Sequence, residues 1–158
     1  MKIAIGSTRA GLSLKKELAA RLEKSGYEIS DVGMKEGGEF LPYHVSAANV
    51  AKEVASGACE KGIAICGTGA GSVIVANKFR GVYAVHCTSS YEAKKASAVN
   101  NANVLVLAEW LTPPQHAFEI VDDWLATPFG SGFEPEWQAF LKGCIDDIQK
   151  LEDELFMK

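Results

Sequence analysis

The chain has 158 residues and a net charge of −4, a size that suits one domain around one core. Its apolar share of 47% and charged share of 23% are those of an ordinary globular protein, and its scattered basic residues argue against a nucleic-acid partner. No apolar run nears the roughly 20 residues of a membrane span, and Met1-Lys2-Ile3-Ala4-Ile5-Gly6 is too short for a signal-peptide core, so a cytoplasmic protein without membrane partners is expected.

Short apolar stretches alternate with segments of helical period. Lys2–Gly6 reads as a first strand. Leu14, Leu18 and Leu22 recur at steps of four, the stripe of an amphipathic helix that Gly26 closes. Tyr27–Val32 reads as a second strand. Tyr43 to Ser56 reads as a helix with Ala47, Val50, Ala51 and Val54 on one face, ended by Gly57. Gly62–Cys66 is expected to be a buried strand and Ala70–Lys78 a short helix. Gly81–Cys87 is expected to be a strand, Ser89–Ala98 a helix and Asn103–Ala108 a fifth strand. Pro113-Pro114 start a helix that runs to about Ala126, since proline fits the first helical turn. Pro135 opens a last helix, over about 134–157. In it Trp137, Leu141, Cys144, Ile148, Leu151 and Leu155 follow a heptad-type seam. That seam fits packing on the chain's own domain or on a second subunit, and periodicity does not choose between them.

Such alternation implies an α/β protein with a parallel sheet covered by helices on both faces. Ligands of such sheets bind beyond the carboxyl ends of the strands. Three loops therefore stand out: Gly6–Gly11, Cys66–Gly71 and His86–Ser90. The four cysteines, Cys59, Cys66, Cys87 and Cys144, form no C-x-x-C pair, and no His pair accompanies them. Neither a metal site nor a redox dithiol is expected, and the four read as free thiols.

The segment Ile63-Ala64-Ile65-Cys66-Gly67-Thr68-Gly69-Ala70-Gly71-Ser72 carries the most information. A buried strand delivers Cys66 to the sheet edge, and three glycines let the backbone approach a ligand closely. The following helix turns free N–H groups to the same place, which favours negative charge and an ionised thiol. A thiol beside such amides suits proton abstraction next to a carbonyl, with the amides holding the enediolate oxygen. Other readings compete. G-x-G-x-G with Ser72 next is a poor dinucleotide fingerprint, and no acidic residue ends the following strand. A P-loop fails for want of a Gly-Lys-Ser/Thr. A merely structural cysteine is the commonest fate of a buried thiol, but the glycines around Cys66 favour a reactive one.

The chain resembles the family of ribose-5-phosphate isomerase type B and the galactose-6-phosphate isomerase subunits from about Met1 to Phe129. The shared features are Gly6-Ser7 with Ala10-Gly11, Tyr43 at a helix head, and Cys66-Gly67-Thr68-Gly69-x-Gly71. Ala76-Asn77-Lys78 with Gly81, and Asn100-Asn101-Ala102-Asn103-Val104, complete them. The resemblance implies a Rossmann-like three-layer sandwich with a five-stranded parallel sheet and a C-terminal helix at a subunit interface. It implies a homodimer or homotetramer with active sites shared between subunits, and no metal or organic cofactor. Cys66 is implied as the base that moves a proton between C1 and C2. Thr68 and the backbone of Gly67, Gly69, Ala70 and Gly71 are implied as substrate contacts, with Asn100 reaching in from the partner.

The departures are as informative. Thr8-Arg9 stand where ribose isomerases of this type carry Asp-His, and Val99 stands where they carry a ring-opening His. Trp110, Phe133 and Trp137 stand in place of three arginines that bind substrate or phosphate. A valine transfers no proton, so the substrate is expected to need no ring opening. A four-carbon sugar esterified at its 4-oxygen cannot close a furanose. Thr8 and Arg9 become substrate contacts on this reading, since a guanidinium matches phosphate geometry. The alternatives are a non-catalytic sugar-phosphate-binding relative, one subunit of a mixed isomerase, or an isomerase of an unphosphorylated sugar walled by Trp110 and Trp137. His86, ending a strand near the site, is a candidate replacement for the missing acid–base group. Tyr43 and His44 are candidates to line the pocket, and His116 is expected to be structural.

Overall fold

The computed structural model describes residues 1–156. The strands are β1 (Lys2–Ser7), β2 (Glu28–Asp31), β3 (Lys61–Cys66), β4 (Ala84–His86) and β5 (Val104–Ala108). The helices are α1 (Leu12–Lys24), α2 (Tyr43–Ala55), α3 (Ala70–Ala76), α4 (Ser90–Asn100), α5 (Pro114–Ala126) and α6 (Pro135–Phe156), and a 3-10 turn spans Arg9–Gly11. All strand pairs are parallel, in the order β2-β1-β3-β5-β4. The expected α/β sandwich with five parallel strands is what forms.

Alternation along the strands gives the two faces different jobs. Ile3, Ile5, Ile63, Ile65, Leu105 and Leu107 point to one face and pack with Leu14, Leu18 and Leu22 of α1, with Ala93 and Ala96 of α4, and with Ile120 and Trp124 of α5. Ala4, Ala64, Val104 and Val106 point to the other face, under Val50, Ala51 and Val54 of α2 and Ala76 of α3. Small side chains on this second face let α2 lie close. A Cβ on Gly6 or on Gly62 would stand 2.6 Å from a Val50 methyl, inside any real carbon contact.

The boundaries of β2, β4, α3 and α4 differ from expectation. Tyr27 stays outside β2, because its N–H donates to Leu22 O and closes α1. The strand expected over Gly81–Cys87 shrinks to Ala84–His86. Gly81 has φ of 74°, and Val82 N–H turns back to Phe79 O. Side chains of two asparagines serve this edge: Asn77 bonds both Ala84 N–H and Ala84 O at 2.8 Å, and Asn103 bonds Tyr83 N–H and Gly81 O at 2.8 and 2.7 Å. The helix expected over Ala70–Lys78 ends at Ala76 for the same reason, since Asn77 has turned to serve the strand. Helix α4 runs two residues past its expected end to Asn100 and closes on Asn101, whose φ is 51°. Its start is a capping box, with Ser89 Oγ accepting from Glu92 N–H and the Glu92 carboxylate accepting from Ser89 N–H.

Of its seam helix α6 buries only Leu141 and half-buries Cys144, while Trp137, Ile148, Leu151 and Leu155 stay exposed; off the seam, Ile145 is buried and Phe140 exposed. The expected end of this helix near residue 157 lies outside the described residues. No helix among the described residues is long and apolar enough to cross a membrane.

Candidate active site

The sheet order reverses between β1 and β3: the chain steps outward from β1 to β2, then returns to the far side of β1 for β3. At such a switch point the two following loops diverge and leave a crevice at the carboxyl edge. A cavity of about 740 Å³ occupies that crevice. Thr8, Arg9 and Ala10 line it from the end of β1, and Cys66, Gly67, Thr68 and Gly71 from the end of β3. Phe40, Pro42 and Tyr43 close it from the α2 side, and Trp110 from the turn after β5.

Cys66 is 6% exposed and opens into this cavity. Its Sγ accepts a hydrogen bond from Gly69 N–H at 3.2 Å, which sets the direction of the sulfur. Gly69 has φ of 80°, a left-handed geometry that a side chain resists, and it opens α3. Each glycine of the loop is also pressed by a ring. A Cβ on Gly67 would lie 2.7 Å from the indole of Trp110, one on Gly69 2.6 Å from the imidazole of His86, and one on Gly71 2.7 Å from the ring of Tyr43. Glycine is therefore required here by close aromatic packing as well as by backbone conformation.

The rings sit on different sides of the loop. Trp110 and Tyr43 line the cavity. His86, the expected candidate for a replacement acid–base group, packs against Gly69 and is not among the lining residues. Burial holds its imidazole below the ordinary histidine range, with the Glu92 charge pulling weakly the other way, and its Nε2 is buried with no hydrogen-bond partner among the described residues. Gly69 and Ala70 do not line the cavity either, and Gly69 acts through its bond to the sulfur. Asn100, at the end of α4, is exposed and away from the Cys66 cavity of its own chain. His44 packs edge-on against Tyr43, and His116 Nε2 lies 3.0 Å from Thr88 O.

Phe40 and Pro42 are lining residues that the sequence did not point to. They arrive on the segment after β2, which is pinned from below. Gly33 lies so close to the end of β1 that a Cβ there would meet Ser7 N at 2.3 Å, and Met34 N–H donates to Ser7 O. Lys15, 1% exposed, donates from Nζ to both Asp31 carboxylate oxygens at 2.8 Å and to Met34 O at 2.6 Å. Burial alone would raise the Asp31 carboxyl, but hydrogen bonds from Lys15, Lys35 and Gly33 N–H outweigh it and hold the group below its usual range. The only trace of this network in the sequence is a lysine interrupting the apolar side of α1.

No cluster of His, Cys, Asp and Glu suited to a metal ion occurs among the described residues. Cys59, Cys66 and Cys87 are buried free thiols, and Cys144 is a half-buried one.

The sequence pattern of the Ribose/Galactose Isomerase family matches residues 3–137. The chain is 39% identical over 158 residues to 4-deoxy-4-sulfo-D-erythrose isomerase of Clostridium sp. (strain MSTE9), covering all of this chain and 99% of that one. It is 36% identical over 137 residues to D-erythrulose-4-phosphate isomerase of Pectobacterium atrosepticum, covering 86% of this chain and 90% of that one. Among solved structures, ribose-5-phosphate isomerase B of Clostridium thermocellum superposes with a TM-score of 0.88 at 39% identity, covering 98% of this chain and 99% of that one.

Proposed function

The chain belongs to the ribose/galactose isomerase family, and from that premise we propose that it interconverts the aldose and ketose forms of a four-carbon sugar with an anionic group at C4. The observation that carries this reading is the pairing of an intact cysteine loop with Val99 in place of a ring-opening group. A tetrose substituted at C4 by an ester or a sulfonate has no 4-hydroxyl with which to close a furanose, so such a substrate arrives open. Two relatives are named for four-carbon substrates, one sulfonated and one phosphorylated.

In the proposed reaction the Cys66 thiolate takes the C2 proton of the aldose, and the electron pair moves onto the C1 carbonyl oxygen. The resulting enediolate collapses to the ketose when the proton returns to C1 and the C2 hydroxyl proton passes to O1. The donor from Gly69 holds the sulfur in place before and after the proton moves. Thr68, on the cavity wall, supplies a hydroxyl that exchanges protons with O1 and O2. Arg9 faces the anionic end.

The reading includes a second copy of the chain, in a cytoplasmic dimer or tetramer. Exposed Trp137, Phe140, Leu151 and Leu155 on α6 form an apolar surface suited to a subunit contact. Asn100, exposed at the end of α4, is proposed to enter the site of that second copy.

The test is deuterium exchange. Incubation of the protein with a C4-substituted tetrose in deuterated water should label C1 or C2, and Cys66→Ala should slow labelling at least about 1,000-fold. Full labelling by the alanine variant refutes the role of the cysteine. Absence of labelling with every C4-substituted tetrose refutes the four-carbon substrate.

A further inference from the structure

Of the side chains lining the Cys66 cavity, Arg9 alone carries a positive charge. Its guanidinium carbon sits 5.9 Å over the Phe40 ring, and the walls beyond it are Phe40, Pro42, Tyr43 and Trp110. Arg9 makes no ion pair among the described residues. The charged groups nearest its outer side line a smaller neighbouring cleft: Lys16, Glu17 and Glu36. Lys16 is already paired with Glu36, which leaves Glu17 as the uncompensated charge there. From its outer side, then, Arg9 receives no help in attracting anions.

On the four-carbon reading above, we propose that Arg9 and its aromatic surround select a substrate whose C4 group carries a single negative charge, a sulfonate, over a phosphate dianion. One guanidinium neutralises one charge and offers its fork to two oxygens. A phosphate monoester near pH 8 carries close to two charges, because its second proton leaves near pH 6. Among the groups this chain supplies, the second charge would rest against aromatic and proline carbon, where it loses its water, and the Asn100 proposed to arrive from a second copy is neutral. A sulfonate keeps one charge at every pH the protein tolerates. Its third oxygen is weakly basic and tolerates the edge of an aromatic ring, which is the positive part of the ring quadrupole. The stacking of Arg9 on Phe40 also limits the arginine to one side of the cavity, so that it meets the anion as a fixed group.

The experiment measures kcat/KM of the full chain for 4-deoxy-4-sulfoerythrose and for erythrose 4-phosphate at each pH from 8 to 6. Taking the ratio at each pH cancels any titration of the protein itself. The sulfonate should lead at pH 8. The ratio should then narrow by about 50-fold toward pH 6, as the monoanionic share of the phosphate rises from about 1% to about one half. A ratio that stays flat with pH, or a phosphate preferred at pH 8, overturns the proposal while leaving the four-carbon reading intact. No turnover of either sugar overturns both. Arg9→Met should raise the sulfonate KM at least about tenfold with kcat within about threefold, and Arg9→Lys should recover part of that loss. Turnover of the neutral 4-deoxytetrose, which offers the guanidinium no charge, should fall less than about threefold in either variant. An unchanged sulfonate KM in Arg9→Met, or an equal loss on the neutral sugar, overturns the assignment of Arg9.

Discussion

Two cysteines leave parallel strands at the same edge of the sheet and meet opposite surroundings. Cys66 ends β3, the strand beside the switch in sheet order, on the face of small side chains. It opens into the cavity and receives the Gly69 N–H. Cys87 follows β4, an edge strand of the sheet, and packs in the cluster of large side chains with Ala93 and Ala96 of α4. Burial, with a smaller contribution from the Glu92 charge, pushes its thiol up to about 12. Residue type is shared, but Cys66 is the last residue of β3 whereas Cys87 lies one past β4, level with Ile65, so alternation sends the two side chains to opposite faces of the sheet. The face of Cys66 also meets the point where the chain reverses direction across the sheet, and there neighbouring loops part and leave space for a substrate.

Thiol alkylation is the most direct way to break this comparison. At pH 8 a thiol with a pKa of about 12 is ionised in about one molecule in ten thousand, and the thiolate is the nucleophile. Iodoacetamide on the native protein, read by peptide mass spectrometry, should label Cys66 at least about 1,000-fold faster than Cys87. Denaturant should bring the two rates together. Equal rates on the folded protein would show that the cavity does not distinguish the two sulfurs.

The glycines sharpen the comparison at a smaller scale. Gly69 has a left-handed φ, a ring 2.6 Å from its missing Cβ and a bond to the Cys66 sulfur, whereas Gly81 has a similar φ of 74° and open space around it. Gly69→Ala should lower kcat about 10- to 100-fold as the loop shifts and the sulfur loses its fixed direction. Gly81→Ala should cost about 1 kcal/mol of stability for its backbone strain and leave kcat within about threefold. Steady-state kinetics and thermal melts on both variants decide the matter, and equal kinetic losses would remove the case for a positioned loop.

The smallest catalytic effect is expected beneath the site. Lys15→Met leaves Asp31 without its buried partner and frees the segment that carries Phe40, at a cost of about 3 kcal/mol. KM should rise only a few-fold, because Cys66 and Arg9 stay on other elements. Since the folded Asp31 carboxyl lies below its unfolded value, its contribution is full above about pH 4 and is lost as acid titrates the folded group. The stability deficit of Lys15→Met should therefore shrink below pH 4 in urea melts, and a deficit that is constant with pH would place its origin in packing alone.

Much of this was legible in the chain. The four-residue spacing of Leu14, Leu18 and Leu22 marked the buried side of α1, because helical period fixes which residues share a face. The glycine loop marked the site, because only a strand end with a close backbone approach needs that run, and Cys66, Thr68, Gly67, Gly71, Tyr43, Thr8, Arg9 and Trp110 do meet at one cavity. The short length of β4 was not legible, since the Asn77 and Asn103 side chains that replace its ladder come from elsewhere in the chain. Phe40 gave no sign of itself either, for it reaches the cavity only because Gly33 and Lys15 hold its segment against β1.

Local order thus follows from the sequence by itself: which segments are strands, which faces are apolar, and that a thiol is delivered among glycines. Those properties depend on residues a few positions apart. Which of two strand-end cysteines faces open space, which rings press on which glycines, and that one arginine stands against an aromatic wall depend on residues tens of positions apart. Such contacts exist only once five strands have taken their order and register, and so the tertiary structure alone decided them.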